Sequence, residues 1–410
     1  MMATTLHDNV SLGKVNSEAA ASKKDDDAAS RHRDFRSYAV SLTVDYLFVV
    51  LPVLLILTVL AEWAYIFTFL LILLLFICVT VKRSSYPYFK GEQHLSSLRT
   101  TISSYRVLVV LITCLSILAV DFRIFPRRYA KTETYGTSLM DLGVGSFVLA
   151  NALVSRKARN STSMNWIAML KSASPLILLG FGRLISTSTV DYQVHVGEYG
   201  VHWNFFFTLA AVSLLSSLFD IHPKYCGILG FLVLIGYQVC LVYGLNIYLI
   251  SNERTAHIIS QNKEGLFSIF GYWGMYLIGV CLGYYILFGN YSAKEARSIQ
   301  SIRASVLIVT VLFWILSIAS DKYVERVSRR MCNLAYVMLV IAQNFQVLSV
   351  LMLSDFIPGH KPLVLEEAFN YNLLGSFLLA NVLTGLVNLY VDTLSASSVT
   401  SIGVLDETNY

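Results

Sequence analysis

A chain of 410 residues that is 55% hydrophobic and only 14% charged lies far from a soluble domain, where charged residues make up about 25%. The formal net charge of +5 is small and dispersed, and no basic stripe with interleaved aromatics occurs, which excludes a nucleic-acid partner. With the long apolar runs, these numbers describe an all-α, polytopic membrane protein, because only helices that satisfy their own backbone cross a bilayer in this way.

Residues 1–38 open the chain with Ala, Ser, Asp and Lys and without apolar periodicity, including KKDDD at 23–27. This composition predicts a disordered polar tail. No cleavable signal peptide is visible, so the first span is expected to act as the targeting signal. The membrane domain follows over 39–392. Its apolar runs lie at 39–60, 63–81, 103–120, 138–155, 166–186, 203–221, 225–250, 267–289, 304–320, 331–353 and 370–391, about eleven spans at about 20 residues each. The 225–250 run is long enough to be tilted, or broken near Gly236 or Gly244. A short polar tail, 393–410, ends the chain. No internal repeat is evident, which weakens a repeat-built transporter. Six cysteines fall in or beside apolar runs without a CxxC pair and read as small buried hydrophobes.

Orientation follows from Lys and Arg in the short loops. With the N-terminus in the cytosol the cytosolic segments carry the excess. The bias is modest because Arg123, Arg127, Arg128, Lys131, Arg254, Lys263, Lys322, Arg326, Arg329 and Arg330 lie on the other side. Basic residues that resist the rule are there for chemistry more often than for topology. The N-x-S/T sequons at Asn9, Asn160 and Asn290 all fall on the cytosolic side of this scheme. Three unusual loops share the opposite face: 121–137, 187–202 and 251–266.

The first of these is the densest mixture of opposite charges beside a span, with Asp121, Arg123, Arg127, Arg128, Lys131, Glu133 and, just inside the next span, Asp141. Charged groups facing lipid cost several kcal/mol, about 3 on insertion scales, so such clusters usually face a wet cavity. Asp121 reads either as a helix-end charge paired with Arg123 or Arg127, or as a carboxylate at a dry boundary that acts as a general base on an alcohol. It meets Lys131 only if the FPRR turn folds back. Arg127, Arg128 and Lys131 read either as phosphate ligands or as interfacial anchors. Ser138, Asp141, Gly145 and Ala152 share one small, polar helix face, suited to close packing or to a cavity wall. Asn381, Thr384, Asn388 and Asp392 form a polar stripe in the last span, either helix glue or a polar path. His202 stands at a span entrance with no second histidine at metal spacing (His195 is seven residues away in a loop), so no metal site is expected. Arg183 lies toward the face of the three loops. No GxSxG, Walker A or dinucleotide-binding glycine motif occurs, and no residue reads as an activated nucleophile.

The stretch LAVDFRIFPRRYAKTETYGTSLMDLGVGSFVLANALVSRKA closely resembles the inositol acyltransferases of GPI-anchor synthesis, the PIG-W type, known in fungi as GPI-anchored wall transfer proteins. DYLFVV at 45–50, SPLILLGFGRL at 174–184, EYGVHWNFFFTL at 198–209, KEGLFSIFGYWGMYL at 263–277 and FNYNLLGSFLLANVLTGLVNL at 369–389 are similar too. The resemblance covers the chain from about residue 34, and residues 1–33 look unrelated. Family members are counted at about thirteen spans, so the expected range is about 11 to 13 transmembrane helices.

The resemblance implies transfer of a long-chain acyl group, typically palmitoyl, from acyl-CoA to the inositol 2-hydroxyl of glucosaminyl-phosphatidylinositol. Acyl-CoA is then a co-substrate, and no cofactor is bound permanently. The place implied is the endoplasmic reticulum membrane, with the matching loops toward the lumen. Asp121 and Lys131 match the pair regarded as catalytic in the family. On this reading Arg127 and Arg128 hold a phosphate, while Glu133, Asp141, Arg183, His202, Asn204 and Asn381 contact substrate in a headgroup cavity. The rival class is a secondary transporter or lipid translocator with the same charge cluster as its gate.

Overall fold

The computed structural model describes residues 36–83, 92–161, 166–188, 196–288, 299–353, 363–393 and 395–407. Most of the expected N-terminal tail, the sequons at Asn9 and Asn290, and His195 lie outside the described residues. All eleven apolar runs are helical. In chain order the helices are α1 (Arg36–Leu57), α2 (Ala64–Arg83), α3 (Glu92–Ala119), α4 (Leu139–Leu153), α5 (Trp166–Ser188), the single turn α6 (Val196–Tyr199), α7 (Phe205–Leu218) and α8 (Pro223–Ile250). They continue with the short α9 (Ile258–Gln261), α10 (Lys263–Phe288), α11 (Ile299–Tyr323), α12 (Leu334–Leu351), α13 (Val364–Tyr371), α14 (Leu373–Tyr390) and α15 (Ser398–Glu407). Seven of them, α1, α3, α8, α10, α11, α12 and α14, are long and apolar enough to cross a membrane. Shorter apolar helices lie at Ala61–Leu74, Leu139–Leu153 and Phe205–Leu218. The chain is therefore an all-α polytopic membrane protein. The segment read as a polar C-terminal tail contains α15, whose Leu405 is buried beside α1 and the start of the α3–α4 loop.

Two helices form the centre. In α12 every residue from Ala335 to Ala342 is buried, so the helix is surrounded on all sides and needs no polar face. α10 packs against α8, α4, α7 and α12. Its glycines let neighbours approach closely, as small residues do between helices in a membrane. A Cβ on Gly271 would lie 2.0 Å from the Cys332 carbonyl oxygen, and one on Gly283 would lie 2.4 Å from that of Leu153. Around this centre α11 lies on α12, α5 on α7, and α14 on α3. α2 exposes almost its whole described surface, Tyr65 and Phe69 included, as suits a helix bathed in lipid.

Capping asparagines set where several helices begin. Asn204 accepts from the Phe206 and Phe207 amides at the head of α7, Asn333 from Tyr336 at the head of α12, and Asn372 from Gly375 at the head of α14. Each satisfies amides that the first helical turn leaves unpaired. Between the two break points open for α8, the structure selects Gly244. Its φ of +115° lies inside a π-helical segment, Leu241–Leu245, a conformation that favours glycine.

The close approach of α10 to the Arg329–Cys332 turn gives the first test. Gly271→Ala forces a methyl group into backbone and should destabilise the protein by about 1 to 3 kcal/mol. Gly236→Ala, with no atom within 4 Å of the added Cβ, should leave the melting temperature of the purified protein unchanged.

Candidate functional site

Four interhelical loops meet at one end of the bundle. They are 120–138 between α3 and α4, 196–204 ahead of α7, 251–262 between α8 and α10, and 324–333 between α11 and α12. The first joins the fourth where the Gly136 amide donates to the Val327 carbonyl at 2.8 Å, with Gly136 at a φ of +96°. The second lies on the third. The Val201 amide donates to the Gln261 carbonyl at 3.0 Å, and the His202 and Trp203 amides donate to Asn262 Oδ1 at 2.7 and 3.0 Å. Three of these loops are the ones that charge counting assigns to a common face.

The α3–α4 loop is anchored by aromatics. Phe122 and Phe125 are fully buried against Tyr46, Leu54 and Leu118. With these two rings pointing inward, Asp121, Arg123, Arg127 and Arg128 are turned toward the surface. Asp121, at the end of α3, is half-buried and accepts from Asn388 Nδ2 of α14 at 2.8 Å. Burial raises its carboxyl above the ordinary range, and this outweighs the opposing pull of the Asn388 hydrogen bond, Arg127 and Lys131. The FPRR turn therefore folds back far enough for Asp121 to feel the charge of Lys131. Each of the two keeps its own hydrogen-bonding partner.

Lys131 is the outer end of a chain of charges. Its ammonium lies 2.9 and 3.0 Å from the two carboxylate oxygens of Glu198 on α6. Glu198 Oε1 also accepts from Arg329 at 3.2 Å, and Arg329 Nε donates to Asp141 Oδ1 at 2.8 Å. Asp141, in the first turn of α4, is wholly buried. It accepts from the Ser138 amide at 2.8 Å, from Thr132 Oγ1 at 2.9 Å and from the Thr132 amide at 3.2 Å. Tyr336 of α12 donates to its backbone carbonyl at 2.7 Å. Two cations and two carboxylates balance. Burial would raise Glu198, but Lys131 and Arg329 outweigh it and hold the carboxyl at about 2.

A second cluster sits beside the first. Glu264, fully buried, accepts from Arg254 at 2.7 Å and from Arg330 at 2.9 Å. The neighbouring Lys263 donates to the carbonyls of Tyr248, Ser251 and Glu253 at 2.7, 2.8 and 3.1 Å. It thereby caps the C-terminal end of α8, where unpaired carbonyls favour a cation. Half-buried Glu325 accepts from Gln238 at 2.7 Å, Asn246 at 3.1 Å and Asn333 at 3.2 Å, which ties the Gly244 kink to the α11–α12 loop.

The remaining sequence candidates are distributed as follows. Arg127 is exposed and donates to the Val120 carbonyl at 3.1 Å. Arg128 reaches the other way, to the Ala61 carbonyl at 2.7 Å and to Glu62 at 3.2 Å. Glu133 and Arg183 are exposed, and Arg183 is near enough to help lower Glu198. His202 is exposed and held through its backbone. Asn204 gives both polar atoms to the protein, capping α7 and donating to the Gly180 carbonyl at 2.9 Å. Asn381 donates to the Phe377 carbonyl of its own helix at 2.7 Å, so of the polar stripe Asn388 is the member bonded to Asp121. Sequence reading passes over Glu198, Arg254, Glu264, Arg329 and Arg330. The available signal is the set of basic residues that stand against the orientation rule, and five of them, Lys131, Arg254, Lys263, Arg329 and Arg330, are bound in these two clusters.

A polytopic helical protein with charged loops gathered around a half-buried carboxylate is, as a class, a membrane protein with a polar site at one end of its bundle. The chain belongs to the GWT1 family, whose model matches residues 11–407. It is 57% identical over 391 residues to an uncharacterized protein of Arabidopsis thaliana, covering 95% of this chain and 88% of the relative. It is also similar to the phosphatidylinositol-glycan biosynthesis class W protein of Dictyostelium discoideum, at 35% identity over 87% of this chain and 82% of that one. The GPI-anchored wall transfer protein 1 of Candida albicans is 33% identical over 89% and 86%. The family match begins at residue 11, which corrects, for residues 11–33, the expectation that the first 33 residues are unrelated to the family.

Removing one partner of a buried ion pair strands the other charge, at about 3 to 5 kcal/mol. Arg329→Met should lower stability by that amount in thermal unfolding of the purified protein. Because the two residues touch, Arg329→Met combined with Asp141→Asn should cost at least about 1 kcal/mol less than the sum of the single changes.

Proposed function

We propose that this protein is a glucosaminyl-phosphatidylinositol inositol O-acyltransferase of GPI-anchor biosynthesis, using a long-chain acyl-CoA, palmitoyl-CoA for example, as donor. The observation that carries the reading is the contrast between two carboxylates at the same end of the bundle. Asp121 is raised by burial and is a better base for it, whereas Glu198 is held ionised at about 2 between two cations. Environments that drive two carboxyl groups apart in this way assign the proton-transfer role to the raised one. Membership of a family that includes a phosphatidylinositol-glycan biosynthesis protein supplies the substrate class.

In the proposed reaction Asp121 takes the proton of the inositol 2-hydroxyl as its oxygen attacks the thioester carbonyl. Lys131 stabilises the oxyanion that forms. Collapse breaks the carbon–sulfur bond, and the proton held by Asp121 returns to the departing CoA thiolate. Arg127, exposed at this end, would contact phosphate of the lipid or of CoA. The site belongs to the endoplasmic reticulum membrane in this reading, with its loops toward the lumen.

Transfer of labelled palmitoyl groups from palmitoyl-CoA to glucosaminyl-phosphatidylinositol by the purified protein in liposomes tests the proposal and separates it from a transporter, which needs no acyl donor. Asp121→Asn should reduce transfer by at least about a hundredfold with protein abundance intact. Near-normal transfer by this variant would remove Asp121 from the mechanism. The acid limb of the wild-type rate profile should lie above the ordinary aspartate value of about 3.9. Asn388→Ala removes a hydrogen bond that favours the ionised form, so Asp121 should hold its proton to higher pH. The acid limb should then move upward.

A further inference from the structure

The charges from Lys131 to Asp141 form a closed ring rather than a line. Lys131 bonds Glu198, Glu198 bonds Arg329, and Arg329 bonds Asp141. Asp141 then accepts from both the amide and the hydroxyl of Thr132, at 3.2 and 2.9 Å, and Thr132 is covalently joined to Lys131. The lysine is thus gripped twice, at its backbone through Thr132 and at its ammonium through Glu198. An exposed lysine paired with a free surface carboxylate gains little, about 0 to 1 kcal/mol, because both long side chains must be ordered for the pair to form. Here the carboxylate is already fixed from behind. Arg329 has only 4% of its side chain exposed, while Lys131 has 41%. The ring is buried at Asp141 and Arg329 and open at Lys131.

We infer that Glu198 is a positioning residue for Lys131, its carboxylate pinned by Arg329 so that the ammonium is held in one place before substrate arrives. A charge that stabilises a transition state is most effective when it needs no reorganisation at the moment of reaction. A lysine with four rotatable bonds supplies that only when both its ends are tethered. The spacing inside EYGVHWNFFFTL serves this arrangement. Glu198 sits on α6, Gly200 turns the chain with a φ of +110°, and Asn204 caps α7 six residues after Glu198. The short helix and the turn are thus both fastened to the bundle. The inference rests on the acyl-transfer reading for its catalytic consequence, but the grip on Lys131 is measurable without it.

The full-length protein in liposomes, with palmitoyl-CoA and glucosaminyl-phosphatidylinositol, is compared with Glu198→Gln and Glu198→Asp. Two readouts are taken at one pH, steady-state rates per folded molecule and the rate at which an amine-acylating ester labels Lys131, followed by peptide mass. Glu198→Gln should lower kcat by about thirtyfold while KM for either substrate changes by less than about threefold. Labelling of Lys131 should rise by about tenfold as its ammonium is released. Glu198→Asp keeps the charge and should lie between the two in both readouts. A merely structural role predicts lost protein with unchanged kcat per folded molecule and unchanged Lys131 labelling, and that result would overturn the inference. If Glu198→Gln does not fold, Glu198→Asp decides alone, since wild-type values in both readouts would overturn it equally. A wild-type protein that transfers no acyl group sinks the enzymatic reading instead, and the labelling comparison still reports on the grip.

Discussion

Arg329 is the residue on which the polar end of this protein depends. It is nearly buried and bonds Asp141 with one nitrogen and Glu198 with another, at 2.8 and 3.2 Å. Those contacts join the start of α4, the single turn α6 and the α11–α12 loop, across up to 188 residues of chain. A buried ion pair is weak evidence of net stability, because desolvation offsets most of the attraction. Its value here is geometric. Two carboxylates in a nearly dry setting have low energy only where the guanidinium fork meets them, so the loops that carry them are confined to one mutual arrangement. The second cluster, built on Glu264, applies the same constraint to the end of α8 and the start of α10.

This arrangement gives the two kinds of charge in the site different work. The deep charges are compensated and fixed, and they set where the loops lie. The outer ones, Asp121, Arg127, Lys131 and Arg183, stay within reach of solvent. Asp121 stands apart even among these, because its hydrogen bond comes from a neutral amide, Asn388, and burial works against its ionisation. A neutral donor leaves the carboxylate able to accept a proton, which a guanidinium at the same distance would oppose.

Much of the fold was legible in the sequence because length and apolar content alone mark a helix that must sit in lipid. The eleven runs all proved helical, and Gly244 was one of two break points open for α8. The region of the site was legible too, since the charges around Asp121 stand out beside an apolar span. Which charge meets which was not. Asp141 presented two equal faces, packing or cavity, and only the folded chain shows four protein donor contacts around its carboxylate. Glu198 and Arg329 are 131 residues apart, and local spacing carries no information about such a pair. Asn204 has the residue type of a substrate ligand, yet its position one residue before a helix is that of a cap. The residues that oppose the orientation rule were the one sequence signal pointing to the hidden clusters.

The placement of Arg329 and Arg330 has a consequence for how the protein is made. Both arginines lie in the loop before α12, whereas Asp141, Glu198 and Glu264 all belong to earlier helices and loops. Synthesis runs from the N-terminus, so Asp141 emerges long before Arg329, whereas Glu198 and Glu264 each follow an earlier cation, Lys131 and Arg254. Until residues 329 and 330 have been made, Asp141 lacks its guanidinium partner, and Glu198 and Glu264 each lack the second of their two cations. The polar end is therefore completed only once the α11–α12 loop has been made.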